Sequence, residues 1–276
     1  MLPLPLHHIV DLYCWVDETL AERKCPKKGR PPVLSSSEVM TIVMWCTLVL
    51  RQKTLKDIYR TLSTYHQRDF PRMPRYNTFV DEVHRSLPFM FELLCDLLAS
   101  TETIRIMDST MLEVCKLHRA DRYKTARNMV DFGKNWQGWH YGFKLHASIS
   151  LDGRLCGIAL TQASVYDAQM EHLLLNEYTR LAVGDTLYGA SVMRARMWRR
   201  YGAIIIAPPF PKQKRKIAAP WQIDLLKRRS KIESVFDYLK EHLHLVSSFP
   251  RSMAGYLVHY VRILLSYQMM ALTLRG

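Results

Sequence analysis

Apolar positions recur at helical spacing along residues 228 to 241, RRSKIESVFDYLKE, and the rest of the chain is arranged around this stretch. Read as a helix, it places Ile232, Val235, Phe236, Leu239 and, one turn further, Leu243 on a single stripe. Arg229, Glu233, Asp237 and Lys240 run along the edge of that stripe, so a carboxylate borders a buried face with a cation one turn before it. Residues 1 to 100 read as helical almost throughout. Ser35 with Glu38 predicts a capping box for a helix to about Leu50, and Thr54 with Asp57 predicts a second through Leu62. A third helix is expected from near Asn77 and a fourth over Pro88 to Ala99. From about residue 103 the period changes. ETIRIMDST reads as a strand with Asp108 near its C-terminal end, and HYGFKLHASIS (140–150) and LCGIALTQAS (155–164) flank a hairpin turn at Asp152-Gly153. Asp167 is expected to cap a helix to about Arg180. RLAVGD (180–185) reads as a short buried strand ending at Asp185, followed by a helix over 190–201 and the strand AIIIA (203–207). The order predicts a mixed α/β sheet with packed helices, after an all-helical region, with boundaries at 1–100 and 101–276.

Composition alters this picture mainly through charge. The 276 residues hold 39 Lys and Arg against 25 Asp and Glu, a formal net charge of +14 and a pI near 9.6. That balance points to a polyanionic partner, nucleic acid before anionic membrane. The six cysteines form no CxxC pair and sit mostly in apolar contexts, which reads as free thiols in a reducing compartment. The N-terminus lacks a basic run before its apolar residues, which argues against a secretory leader. The apolar stretch Met253 to Leu274 is interrupted by His259, Arg262 and Gln268, so it is expected as a buried helix closing the core rather than a membrane span. A cytoplasmic protein is the expectation.

The basic residues are concentrated. Between 194 and 231 there are twelve Lys or Arg and one acid, Asp224; Lys212, Lys214, Arg215 and Lys216 lie just ahead of the 228–241 helix. More cations, Arg119 among them, lie between Lys116 and Trp136, with Trp136 and Trp139 available to stack on an unpaired base. KCPKKGRPP (24–32) is either a solvated linker or a segment lying in a minor groove, and 35–50 with 54–62 could form a helix-turn-helix. The histidines at 118, 140, 146, 242 and 244 are expected at the surface or facing DNA.

Asp108 and Asp185 both close apolar strands, and Glu233 sits on a helix that must pack on the same sheet. Three carboxylates from distant segments can then converge, and their repulsion is relieved by a hard divalent cation, Mg²⁺ or Mn²⁺. Two such ions would activate a water or a 3′-hydroxyl for in-line attack on a phosphodiester.

IMDST, VGDTLYG and RRSKIESVFDYLK, in that order, resemble the three catalytic blocks of insertion-sequence transposases of the DDE superfamily, which carry an RNase H-like fold. VCKLHR (114–119), GWHYGFKLH (138–146) and FPRS (249–252) resemble the intervening and trailing segments of that family. The resemblance implies Asp108, Asp185 and Glu233 as metal ligands, and Arg229 and Lys240 as DNA-holding residues of a Tyr-Arg-Glu-Lys signature whose tyrosine position is Leu226 here. Glu233 follows Asp185 by 48 positions, too few for the β-rich insertion of some relatives, so hairpin resolution of DNA ends is not implied. What is implied is a transposase that acts on double-stranded DNA, working as a homodimer, with no membrane role. A nuclease on the same fold without strand transfer, and a transposase-derived DNA-binding protein without catalysis, are the rival readings.

Overall fold

A computed structural model describes residues 8–21, 31–210, 212 and 218–273. Most of KCPKKGRPP, together with Lys214, Arg215 and Lys216, lies outside the described residues. The chain divides into two compact units. The first comprises Met1–Leu97, Leu239–Leu245 and Phe249–Gly276, and the second Leu98–Tyr238 and Val246–Ser248.

The first unit is helical. It contains α1 (Ile9–Ala21), α2 (Ser36–Leu48), α3 (Leu55–Tyr65), α4 (Tyr76–Leu97) and α9 (Met253–Thr273). Both predicted capping boxes form: Ser35 Oγ accepts the Glu38 amide while Glu38 accepts the Ser35 amide, and Thr54 and Asp57 repeat the exchange. α2 is apolar on every side and is buried along nearly its whole length against α1, α4 and α9. It is the core of this unit and has no face left to enter a DNA groove.

The two helices expected on either side of Pro88 are one. α4 runs through Pro88, because the buried stripe Phe79, Val83, Met90, Leu93 and Leu94 spans the proline. Burial of five large apolar side chains, at about 1.5–3 kcal/mol each, outweighs the roughly 3 kcal/mol that an interior proline costs. α9 is the buried helix expected from 253–274, and it packs on α2 and α4. Its Arg262 is almost fully buried and donates to Thr47 Oγ1 (2.5 Å) and to the Lys53 carbonyl (2.7 Å). Beside it, His259 Nε2 faces the carbonyls of His244 and Leu245 at 3.1 and 3.2 Å.

The second unit is built on a six-stranded mixed sheet ordered β2-β3-β1-β5-β6, with β4 also on β3. The strands are β1 (Ile104–Glu113), β2 (Asp131–Asn135), β3 (Gly138–Ile149), β4 (Leu155–Gln162), β5 (Leu181–Val183) and β6 (Ile204–Ile206). β1 is antiparallel to β3 and parallel to β5, and β6 continues parallel to β5. Gly153, at φ +97°, makes the predicted β3–β4 turn, a conformation that costs a glycine no Cβ strain. Arg105 anchors the start of β1 from within the fold. Its guanidinium donates to the carbonyls of Ser100 (2.5 Å) and Leu174 (2.9 Å) and to Asn176 Oδ1 (2.7 Å).

Three departures from the sequence reading concern connections. Asp167 does not cap a long helix: it opens a 3-10 turn (Asp167–Gln169), α5 is a single turn (Glu171–Leu174), and Asn176 ends it. β2 pairs with β3 although DFGKN has no apolar alternation, since β3 supplies the template. α7 (Pro220–Lys227) falls in what reads as a basic loop, with Pro220 at a favoured first position. α6 (Ser191–Tyr201) and α8 (Ser230–Asp237) complete the unit, α8 packed on β1.

Candidate active site

Parallel pairing sets Ile106 opposite Val183, so two residues on, Asp108 of β1 and Asp185 just past β5 stand at equivalent heights on the same face. Each carboxylate is fixed by local backbone. Asp108 Oδ1 accepts the Ser109 amide at 2.8 Å. Asp185 Oδ1 accepts the amides of Leu187 (3.0 Å) and Tyr188 (3.4 Å), capping the 3-10 turn Thr186–Gly189. That cap leaves Oδ2 of Asp185 unused by the turn. The turn-forming role and the site role of Asp185 are therefore compatible, because one oxygen serves each.

α8 brings the third segment. Its apolar stripe is buried as expected at Ile232, Val235 and Phe236, and its border carries Glu233. Arg229 reaches both ways from the helix start: Nη1 lies 3.3 Å from Asp108 Oδ2 and Nη2 lies 2.7 Å from Glu233 Oε1. The expected convergence of three carboxylates thus takes the form of two aspartates side by side, with Glu233 joined to Asp108 through a guanidinium. Among the described residues no group of three or more His, Cys, Asp or Glu is arranged to hold a metal ion. Asp108 and Asp185 fit a hard cation by donor chemistry, both being oxygen ligands on one face. Glu233 is half exposed and engaged by Arg229.

The electrostatics agree with a site that wants a positive charge. Burial pushes the Asp108 carboxyl up to about 6, and the neighbouring charges of Asp185 and Asp167 push the same way; the Ser109 amide and Arg229 oppose the rise. Asp185 is raised as well, first by burial and then by Asp167. Two desolvated carboxylates, each raised further by a neighbouring acid, are stabilised by a cation.

Beneath this pair lies a polar network that sequence reasoning missed. Lys144 and His146 project from one face of β3, and Asp167 Oδ1 lies 3.3 Å from Lys144 Nζ and 3.3 Å from His146 Nδ1. His146 is fully buried, not at the surface; its Nε2 pairs with Thr161 Oγ1 at 2.8 Å. Burial depresses its pKa to about 4. The turn carrying Asp167 packs on the turn carrying Tyr188, and Tyr188 packs with Met107, Met193 and Met197 under the sheet. Its ring lies so close over Gly184 that a Cβ there would meet Cδ2 at 2.7 Å. The Tyr188 hydroxyl is buried without a hydrogen-bond partner, and burial together with Asp167, Asp108, Asp185 and Glu171 raises its pKa well above the ordinary value. The available signal was the alternation in GFKLHASIS, which puts a lysine and a histidine on the same side of an otherwise apolar strand.

The family model for the transposase DDE domain matches residues 98–253, more than half of the chain. The chain belongs to the DDE transposase family. Its mixed sheet and flanking helices, preceded by a helical region, are the RNase H-like arrangement of such a domain. The match spans Asp108, Asp185 and Glu233 together with the network under them. No curated protein matches the chain.

The remaining expected DNA contacts lie on separate elements. Arg119 is exposed on the 3-10 turn Leu117–Arg122, Trp136 is at the tip of the β2–β3 hairpin, and Lys212 is exposed beyond β6. Lys240 lies on a π turn (Tyr238–His242) and is counted with the first unit. No helix among the described residues is long and apolar enough to cross a membrane.

Proposed function

We propose that this DDE transposase cleaves DNA at the ends of its own mobile element and joins the freed 3′-hydroxyls to target DNA. The observation that carries the reading is the placement of Asp108 on β1 and Asp185 just past the parallel strand β5 at one height, with Arg229 at the start of α8 and Glu233 within it beside Asp108. In the first step a water oxygen bonds to phosphorus and the 3′-oxygen leaves, giving a 3′-hydroxyl and a 5′-phosphate. In the second the 3′-hydroxyl attacks a target phosphodiester, and one target 3′-oxygen leaves with a proton.

Asp108, Asp185 and Glu233 would hold Mg²⁺ or Mn²⁺, two ions by family resemblance, which supply Lewis-acid activation and charge neutralisation at the reacting phosphate. The protein's own residues bind and orient. The backbone amides at Ser109, Leu187 and Tyr188 fix the two aspartates. Arg229, between two carboxylates, can exchange one of them for a DNA phosphate, which matches its planar fork of donors. Lys212, Lys214, Arg215, Lys216, Arg119 and Lys240 supply sequence-independent phosphate contacts. Two element ends act together, so the working complex is a homodimer on double-stranded DNA, in the cytoplasm.

Strand transfer separates this function from that of a nuclease on the same fold. A DNA end from the gene's flank, prepared with a recessed 3′-hydroxyl, is incubated with protein, Mn²⁺ and supercoiled plasmid. Joined products that vanish when the end carries a 3′-deoxy terminus support the proposal; hydrolysis without joining overturns it.

A further inference from the structure

The β2–β3 hairpin carries a group of aromatic side chains of which Phe132, Trp136 and Trp139 are exposed and Tyr141 is buried beneath them. Cross-strand pairing puts Phe132 opposite Tyr141 and Lys134 opposite Trp139, so these four side chains share one face. The Phe132 and Tyr141 rings lie 4.8 Å apart, tilted at 52°, and Tyr123 meets Tyr141 edge-on at 6.0 Å. Lys134 Nζ lies 5.7 Å from the centre of the Trp139 ring. Trp139 is 55% exposed and Trp136, at the tip, is 90% exposed. Leaving an indole in water forfeits the burial that usually places this residue inside, and two on one hairpin mark a contact surface.

The tip is held rather than loose. Asn135 Oδ1 accepts the Gln137 amide at 2.8 Å and meets His140 Nε2 at 2.8 Å, and His140 Nδ1 pairs with Glu113 on β1. Gly138, at φ +123°, closes the turn. Trp136 is therefore presented on a pre-formed mount, and ordering it on binding costs little.

Charge selects the partner. Residues 116 to 134 carry six Lys or Arg against two Asp, and Lys116, Arg119, Arg122, Lys124 and Arg127 are all exposed. Exposed rings on this hairpin, with the basic 3-10 turn Leu117–Arg122 packed against β3, fit a DNA strand with unpaired bases: bases stack on the rings and phosphates meet the cations. A paired duplex offers no free base faces to a protruding indole.

We infer that the β2–β3 hairpin is a stacking site for an unpaired nucleobase of DNA, with Trp136 as the ring that takes it and Trp139 with Lys134 supporting it. This rests on the reading of the protein as a DNA-processing transposase. Its test needs neither metal nor cleavage, so the two fail separately. Full-length protein is titrated, without divalent ions, with a short single-stranded deoxythymidine oligomer and with a duplex of equal length, following tryptophan emission and anisotropy of labelled DNA. Trp136→Ala is expected to weaken the single strand about tenfold, the scale of one base–aromatic stack, with duplex affinity unchanged. Trp136→Phe restores most of the lost affinity. Equal single-strand binding by wild type and Trp136→Ala overturns the inference, as does equal loss on both DNAs. A shift of oligomeric state in Trp136→Ala by light scattering also overturns it, because the ring would then belong to a protein contact.

Discussion

Arg229 Nη1 lies 3.3 Å from Asp108 Oδ2 although 121 residues separate them in the chain. The same guanidinium holds Glu233 Oε1 at 2.7 Å. A cation thus sits between two of the three acids that the family resemblance assigns to metal, and it partly answers the repulsion that burial creates at Asp108. Arg229→Gln removes that cation. The Asp108 carboxyl is then expected to titrate above the value of about 6 that it has with Arg229 present, because a neighbouring positive charge favours the ionised form. Carboxyl-carbon NMR titration of metal-free protein reads this directly; an unchanged or lower midpoint would contradict it.

Asp108 also costs the fold stability at neutral pH. Its carboxyl is raised from 3.8 to about 6 in the native state, so the folded protein binds more protons between those values and stability falls as pH rises through them. Above about pH 6 the penalty is complete. In metal-free buffer at neutral pH, Asp108→Asn should therefore raise unfolding free energy by up to about 3 kcal/mol, with wild type and variant converging as pH falls towards 3.8. Urea denaturation at several pH values measures it, and a variant less stable than wild type at neutral pH would refute the penalty.

Tyr188 supports the Asp185 turn through its ring. Its hydroxyl is buried and unpaired. Tyr188→Phe should leave stability unchanged or raise it by up to about 1 kcal/mol. Tyr188→Ala should cost about 3–5 kcal/mol through the cavity it opens in the methionine cluster. Gly184→Ala should also destabilise, since its Cβ would meet the Tyr188 ring at 2.7 Å. Thermal melts of the three variants check the order; a Phe variant as damaged as the Ala variant would show that the hydroxyl carries the support.

The helical unit should be acid-labile at His259. Burial and Arg262 hold this histidine at about 3, below its ordinary 6.5. A depressed folded pKa contributes stability that is present above 6.5 and is lost as pH falls towards about 3. His259→Gln, which cannot titrate, should flatten the acid limb of a stability–pH profile. A limb of unchanged slope would locate the acid sensitivity elsewhere.

Much of this architecture is legible in the sequence where one signal is decided locally. The capping boxes at Ser35 and Thr54 and the turn at Asp152-Gly153 depend on neighbours a few residues apart, and they form as read. The stripe Ile232, Val235 and Phe236 likewise buries as its period predicts. What escaped was decided at long range. Pro88 reads as a helix boundary, but the buried stripe through α4 overrides it. Asp167 reads as a cap because its partners, Lys144 and His146, lie on a strand more than twenty positions away. β2 has no alternation of its own and exists because β3 offers it an edge. At the site, strand ends located Asp108 and Asp185, while the reach of Arg229 across to Asp108 depends on how α8 seats on β1, which no local pattern encodes.

The central claim is that Asp108, Asp185 and Glu233 serve one phosphodiester-cleaving site. Its most direct measurement is nick mapping on DNA that carries the gene's own flanks, with Mg²⁺ or Mn²⁺, comparing wild type with Asp108→Asn, Asp185→Asn and Glu233→Gln. The account predicts metal-dependent cuts at one defined position in each flank by wild type, and loss of cutting in all three variants while each still binds the DNA. Wild-type cutting that persists in Asp185→Asn, or DNA binding without any cut by wild type, would contradict it.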